Sequence, residues 1–167
     1  VDSGRGAGTR VSVVLPGSNA VEPPAVAEAA LPLQPETALN GMALLCIDND
    51  PQILDGMDTL LSGWGCKILK AADLQAALAA ADRVQGPLNG LLVDYHLDNA
   101  NGIDAIVALR ARLGRDLPAI LITADRTLRV REEARRRNIP VLHKPVKPAA
   151  LRALLAQWRI QRVAAAE

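Results

Sequence analysis

From Met42 onward, short apolar runs alternate five times with amphipathic stretches, and this rhythm restricts the fold more than any other feature of the chain. The apolar runs are "MALLCI" (42–47), "CKILKA" (66–71), "LNGLLVD" (88–94), "PAILIT" (118–123) and "IPVLHK" (139–144). Each has strand length and little polar interruption, as expected when both faces of a sheet are covered. Between and after them lie helical stretches: "PQILDGMDTLLSGW", "DLQAALAAAD", "GIDAIVALRARL", "RTLRVREEARRR" and "PAALRALLAQWRIQRV". Asp50 is placed to cap the first of these, with Pro51 at its first helical position. Neighbouring parallel strands need a crossover, usually a helix. The pattern therefore predicts an α/β fold, a doubly wound five-stranded parallel sheet with helices on both faces.

The body is preceded by a different kind of sequence. Residues 16–35 hold five of the eleven prolines, and residues 16–41 read as a semi-rigid Pro/Ala-rich linker. Residues 1–15 contain one strand candidate, Arg10 to Leu15, which alone cannot bury itself. With 167 residues and 50% hydrophobic content, the chain suits one domain with a sizeable core and a dispensable end. The opening "VDSGRG" has neither an initiator Met nor an apolar leader, so the chain reads as a piece of something longer. A formal charge of +1, no Phe and the lone Tyr95 argue against a nucleic-acid partner. Cys46 and Cys66 read as two buried thiols of a reducing compartment, hence a cytoplasmic location. No apolar run approaches a membrane span, so no direct membrane contact is expected.

In an open parallel sheet, ligands bind beyond the carboxyl ends of the strands. Asp48 and Asp50 follow the first strand, Asp94 ends the third, Thr123 ends the fourth and Lys144 closes the fifth. Strand-to-helix loops are commonly polar, but this set has a chemistry of its own. Carboxylates converging on one crevice repel unless a cation or a lysine compensates. Oxygen donors with retained waters favour Mg²⁺. A hydroxyl and an ammonium on the far side complete a cradle for phosphoryl oxygens, with a carboxylate as nucleophile. Asp94 suits that role best, because it ends the longest apolar strand.

The landmarks "CIDNDP" (46–51), "LLVDYHLDNANG" (91–102), "LITAD" (121–125) and "LHKPVKP" (142–148) resemble, in type, order and spacing, the receiver domain of two-component response regulators. The resemblance spans about residues 42–160, and a receiver domain is placed at 42–162. It implies a flavodoxin-like (βα)5 fold with strand order 2-1-3-4-5. It implies Asp94 as the phospho-acceptor, with Thr123 bonding the phosphoryl group and Lys144 pairing with it. It implies a Mg²⁺ site from Asp48, Asn49, Asp94 and the backbone carbonyl of His96, and a cis Lys144–Pro145 bond. The phosphoryl group would come from a histidine kinase or histidine-phosphotransfer domain and be slowly hydrolysed. "GRGAGTRVSVVLP" is similar to the closing segment of a histidine-kinase ATP-binding domain. Residues 1–15 would then be the end of such a domain, and the whole the C-terminal part of a hybrid sensor histidine kinase.

Three departures from the family pattern stand out. Asn49 replaces the second, directly ligating Asp of most members. Its amide oxygen can still ligate but brings no charge, so weaker Mg²⁺ binding with phosphorylation retained is expected. Asp50 either supplies that charge or is engaged as a helix cap. Val141 stands where many receivers swing a Tyr or Phe, and valine cannot make that movement. His96 and Ala124 flank the site at positions that tune water access to an acyl phosphate. His143, inside the last strand, reads as structural.

The fourth helical stretch carries Arg126, Arg129, Arg131, Arg135, Arg136 and Arg137 against Asp125, Glu132 and Glu133, a local net of +3. Such a run is either a solvated face or a docking face for an acidic partner. Trp64 and Trp158 read as packing anchors, and the last helix could also form a homodimer face. The competing functions are a non-phosphorylated pseudo-receiver, favoured by Asn49 and Val141, and a small phosphatase. The phosphatase would want an acidic residue where His96 stands.

Overall fold

The structure, a computed structural model, describes residues 2–3, 9–10 and 39–164, apart from 85 and 99. The chain divides into two units, residues 1–32 and 33–167. In the first, Asp2–Ser3 pairs antiparallel with Thr9–Arg10. Of the strand expected over Arg10–Leu15, only Arg10 lies within the described residues, and its partner comes from the same short tail.

The second unit contains the whole expected alternation: β1 (Ala43–Ile47), α1 (Pro51–Ser62), β2 (Lys67–Ala71), α2 (Leu74–Arg83), β3 (Gly90–Asp94), α3 (Gly102–Leu113), β4 (Ala119–Thr123), α4 (Leu128–Arg136), β5 (Val141–His143) and α5 (Pro148–Ala164). The four pairings within this sheet are parallel, and its order is β2-β1-β3-β4-β5. Successive strand residues point to opposite faces, which splits the core in two. Leu45, Ile47, Leu91, Val93 and Leu121 face α2, α3 and α4, meeting Ala77, Ile106 and Val130. Leu44, Cys46, Leu92, Ile120 and Ile122 face α1 and α5, meeting Leu61, Leu151 and Leu155. The central strands β3 and β4 are buried along their full length, as their unbroken apolar sequence requires.

Trp158 packs in the second layer at 7% exposure. Its ring occupies the space that a Cβ on Gly90 would take. It therefore anchors α5 to its own sheet. Trp64 is half-buried, with the Arg152 guanidinium 5.6 Å from its ring centroid. Burial, with smaller contributions from Asp58 and Cys66, pushes the Cys46 thiol up to about 12. Both cysteines are buried free thiols.

The structure sharpens several boundaries. Leu39, which composition assigns to the linker, is 1% exposed and belongs to the core. The Gly41 N–H donates to the Gly65 carbonyl at 2.8 Å, so the body begins at least three residues before Met42. Helix α4 starts at Leu128 rather than Arg126, because the Asp125 carboxylate accepts from the Thr127 N–H at 2.7 Å and turns the chain first. Among the described residues no helix is long and apolar enough to cross a membrane.

Gly56 lies exposed inside α1, with open space where a Cβ would stand. Gly56→Ala should therefore stabilise the domain by about 0.5–1 kcal/mol through a smaller loss of backbone entropy. Urea unfolding would read this as a higher midpoint at unchanged slope.

Candidate functional site

Three strand ends bring the charged residues together. Asp94 is the last residue of β3, Asp48 follows β1 and Lys144 follows β5. The sheet continues past β1 through the Asp48 N–H, which donates to the Ala71 carbonyl at 3.2 Å. The Lys144 N–H donates to the Thr123 carbonyl at 2.9 Å, which fixes its start against β4. The Lys144–Pro145 bond is cis. From there the Lys144 ammonium reaches both carboxylates, at 2.7 Å from Asp94 Oδ1 and 3.0 Å from Asp48 Oδ2.

Each carboxylate uses its other oxygen on a backbone donor. Asp94 Oδ2 accepts from the His96 N–H and Asp48 Oδ1 from the Asp50 N–H, both at 2.9 Å. Asp48 and Asp94 are each 5% exposed. Two nearly buried carboxylates thus share one ammonium, which leaves an excess of one negative charge. Burial alone would push the Lys144 pKa down, but hydrogen bonds to Asp94 and Asp48, and then their charges, outweigh it and hold it above 10.5.

The remaining expected residues surround this trio. Thr123 is fully buried on β4, one residue past Ile122, the register partner of Asp94. Its Oγ1 accepts from the Asp125 N–H at 2.9 Å, and no hydrogen bond links it to Asp94. Ala124 is exposed beside it. The His96 ring is exposed and packs edge-on against Tyr95, with centroids 4.8 Å apart. Asp50 caps α1 by accepting from the Gln52 N–H at 2.8 Å, which decides between its two readings. Val141 is half-buried and lines a hollow of about 790 Å³ with Leu128, Arg131 and His143. His143 is half-buried, and its Nδ1 has no hydrogen-bond partner among the described residues. All six arginines around α4 are exposed, while Val130 and Ala134 face the core, so the charged face is open to solvent or to a partner.

No hydrogen bond joins the Asn49 side chain to the trio. Its Nδ2 donates to Asp98 Oδ1 at 2.6 Å. Sequence reasoning passed over Asp98, and also Asp125, which braces Thr123. Neither ends a strand; Asp98 bonds the Asn49 side chain, and the Asp125 N–H bonds the Thr123 hydroxyl.

The donor set can be weighed against a divalent cation. Among the described residues no three His, Cys, Asp or Glu side chains cluster to hold a metal. What stands here is two carboxylates, both hard oxygen donors. Together with the uncompensated negative charge, they suit Mg²⁺ rather than a softer ion.

A doubly wound (βα)5 sheet with a lysine bridging two carboxylates at its carboxyl edge describes the receiver class of signalling domain. Comparison with known proteins agrees. The sequence profile of the response regulator receiver domain matches residues 44–156. The chain belongs to that family, and membership carries a place in phosphorelay signalling beside a histidine-kinase or phosphotransfer partner. Among solved structures it is similar to the Vibrio cholerae chemotaxis protein CheY4, at 21% identity and TM-score 0.63, over 70% of this chain and 98% of that one. It is also similar to the signal receiver domain of an HD domain-containing protein from Pseudomonas fluorescens Pf-5, at 21% identity and TM-score 0.67, over 75% and 99%. The receiver domain of the Francisella response regulator 1452 aligns at 19% identity and TM-score 0.65, over 73% and 99%. At such identities these structures speak to the fold alone. Comparison with curated protein sequences finds no significant match.

Proposed function

We propose that this domain accepts a phosphoryl group on Asp94 from a phosphohistidine, with Mg²⁺, and slowly hydrolyses the acyl phosphate. The observation that carries this reading is the Lys144 ammonium held within 3.0 Å of both Asp48 and Asp94. Asp48, Asp94, the Asn49 amide oxygen and the His96 carbonyl would hold Mg²⁺. When bound, Mg²⁺ supplies positive charge against the phosphoryl oxygens, which would otherwise meet a crevice of net negative charge.

The chain's own groups do the rest. An Asp94 carboxylate oxygen attacks phosphorus as the bond to the histidine nitrogen breaks, and the imidazole leaves with the bonding pair. Lys144 lies within hydrogen-bond distance of Asp94, so it can follow the charge as this moves onto the phosphoryl oxygens. The Thr123 oxygen already accepts from Asp125, so the Thr123 proton is available to donate to the same group. Burial of Asp94 limits the approach of water, which favours a slow hydrolysis. Exposed His96 and Ala124 border that approach.

The test is incubation with a small phosphodonor and Mg²⁺, read by intact mass. Wild type should gain one phosphoryl group and lose it again over time. Asp94→Asn, or removal of Mg²⁺ by a chelator, should abolish the gain. A folded wild type that gains nothing would favour the pseudo-receiver reading, which Asn49 and Val141 support.

The link to a hybrid sensor kinase rests on the N-terminal resemblance of "GRGAGTRVSVVLP". It predicts that the encoding gene continues upstream into a kinase ATP-binding domain, which sequencing of that region would check.

A further inference from the structure

The Asn49 amide is held by a residue that belongs to none of the expected site. Asp98 follows the short strand His96–Leu97, which pairs antiparallel with Ala100–Asn101. That hairpin is anchored at both ends. Leu97 is buried at 8% exposure, and Asn101 caps α3 by accepting from the Asp104 N–H at 2.9 Å. Asp98 directly follows buried Leu97, and it shares with Asn49 and His96 the wall of a cavity of about 710 Å³.

The chemistry of the pair fixes the orientation of the amide. A carboxylate only accepts, so the NH2 end of Asn49 must turn to Asp98. The donor end is then engaged, and Oδ1, the amide atom that binds a hard cation, remains for another partner. Asp98 also brings a negative charge next to the position that lacks one.

We propose that Asp98 is a positioning residue of the cation site: it orients Asn49 so that its amide oxygen serves as a ligand. This rests on the reading of Asp48, Asn49 and Asp94 as Mg²⁺ ligands. Groups that orient metal ligands typically change metal affinity by about ten- to a hundredfold when removed. Asp98 is exposed, so the lower end applies.

The experiment measures Mg²⁺ binding by calorimetry, and Mn²⁺ binding by electron paramagnetic resonance, on the full chain without phosphodonor. Asp98→Ala should bind about tenfold more weakly than wild type. Asp98→Asn keeps an acceptor for the amide and should recover part of the loss. In an Asn49→Ala background, Asp98→Ala should have little further effect. Wild-type affinity in Asp98→Ala would overturn the proposal. So would an undiminished loss in the Asn49→Ala background, or an Asp98→Asn as weak as Asp98→Ala, since either would reduce Asp98 to a distant charge. A wild type that binds no cation at all would instead sink the Mg²⁺ reading itself, and this inference with it. Circular dichroism of each variant separates lost binding from lost fold.

Discussion

Lys144→Met should destabilise the domain by about 3 kcal/mol at neutral pH, the lower end for breaking a buried ion pair, because the lysine is 29% exposed. That corresponds to a fall of roughly 10 °C in the unfolding midpoint. Methionine keeps the apolar stem and removes only the ammonium. The variant then holds Asp48 and Asp94, each 5% exposed, facing one crevice without a compensating charge. Two signatures distinguish this from ordinary loss of packing. Millimolar Mg²⁺ should recover more stability in Lys144→Met than in wild type, because the ion replaces the missing charge. The pH dependence has a defined sign as well. The folded-state pKa of Lys144 is raised above 10.5, so its contribution is complete below 10.5 and is lost as pH climbs through the raised value. Wild type and variant should therefore differ by a constant amount across neutral pH and converge in strong alkali. Thermal unfolding at several pH values, with and without Mg²⁺, checks both. Equal midpoints at neutral pH would show that the bridge adds nothing to stability.

The trio was legible in the sequence because each member marks the carboxyl end of a strand, and the alternation of apolar runs locates those ends. The strand order follows from the same landmarks through the family resemblance. Hydrogen-bond partners at the rim were not legible. Asn49 and Asp98 are exposed polar residues 49 positions apart, and no periodicity or spacing rule pairs such residues. The start of α4 was misplaced because "DRT" continues a helical charge pattern, whereas the Asp125 side chain closes a turn there. Leu39 was hidden by its surroundings, since one apolar residue at the edge of a Pro/Ala-rich stretch gives no pattern. Glycines pose the hardest case. "LNGLLVD" and "NANG" suggest nothing about what would collide with a side chain, because the colliding groups come from other parts of the chain.

That blind spot holds the other large effect. Gly102 opens α3, is buried, and donates its N–H to the Tyr95 carbonyl at 2.8 Å. A Cβ there would overlap the carbonyl oxygen of Asp94 and come within 2.9 Å of Leu121 Cδ1. The leucine methyl can give way, but the Asp94 carbonyl is backbone, so β3 or α3 must shift. Gly102→Ala should therefore cost about 3 kcal/mol, the upper end for overpacking. Phosphoryl uptake should fall further than stability implies, since displacing a reacting group by about 1 Å can slow a reaction roughly a hundredfold. Gly90→Ala is the matched comparison. It sits at the other end of the same strand, where a Cβ would collide with the Trp158 ring. It too should lose about 1–3 kcal/mol, yet well below its melting temperature it should accept a phosphoryl group at close to the wild-type rate. Uptake followed by intact mass, beside urea unfolding, separates the two. If both variants slow uptake equally, the effect is a general softening of β3. If only Gly102→Ala does, the missing side chain at 102 is what lets the backbone of Asp94 lie where its carboxylate meets Lys144.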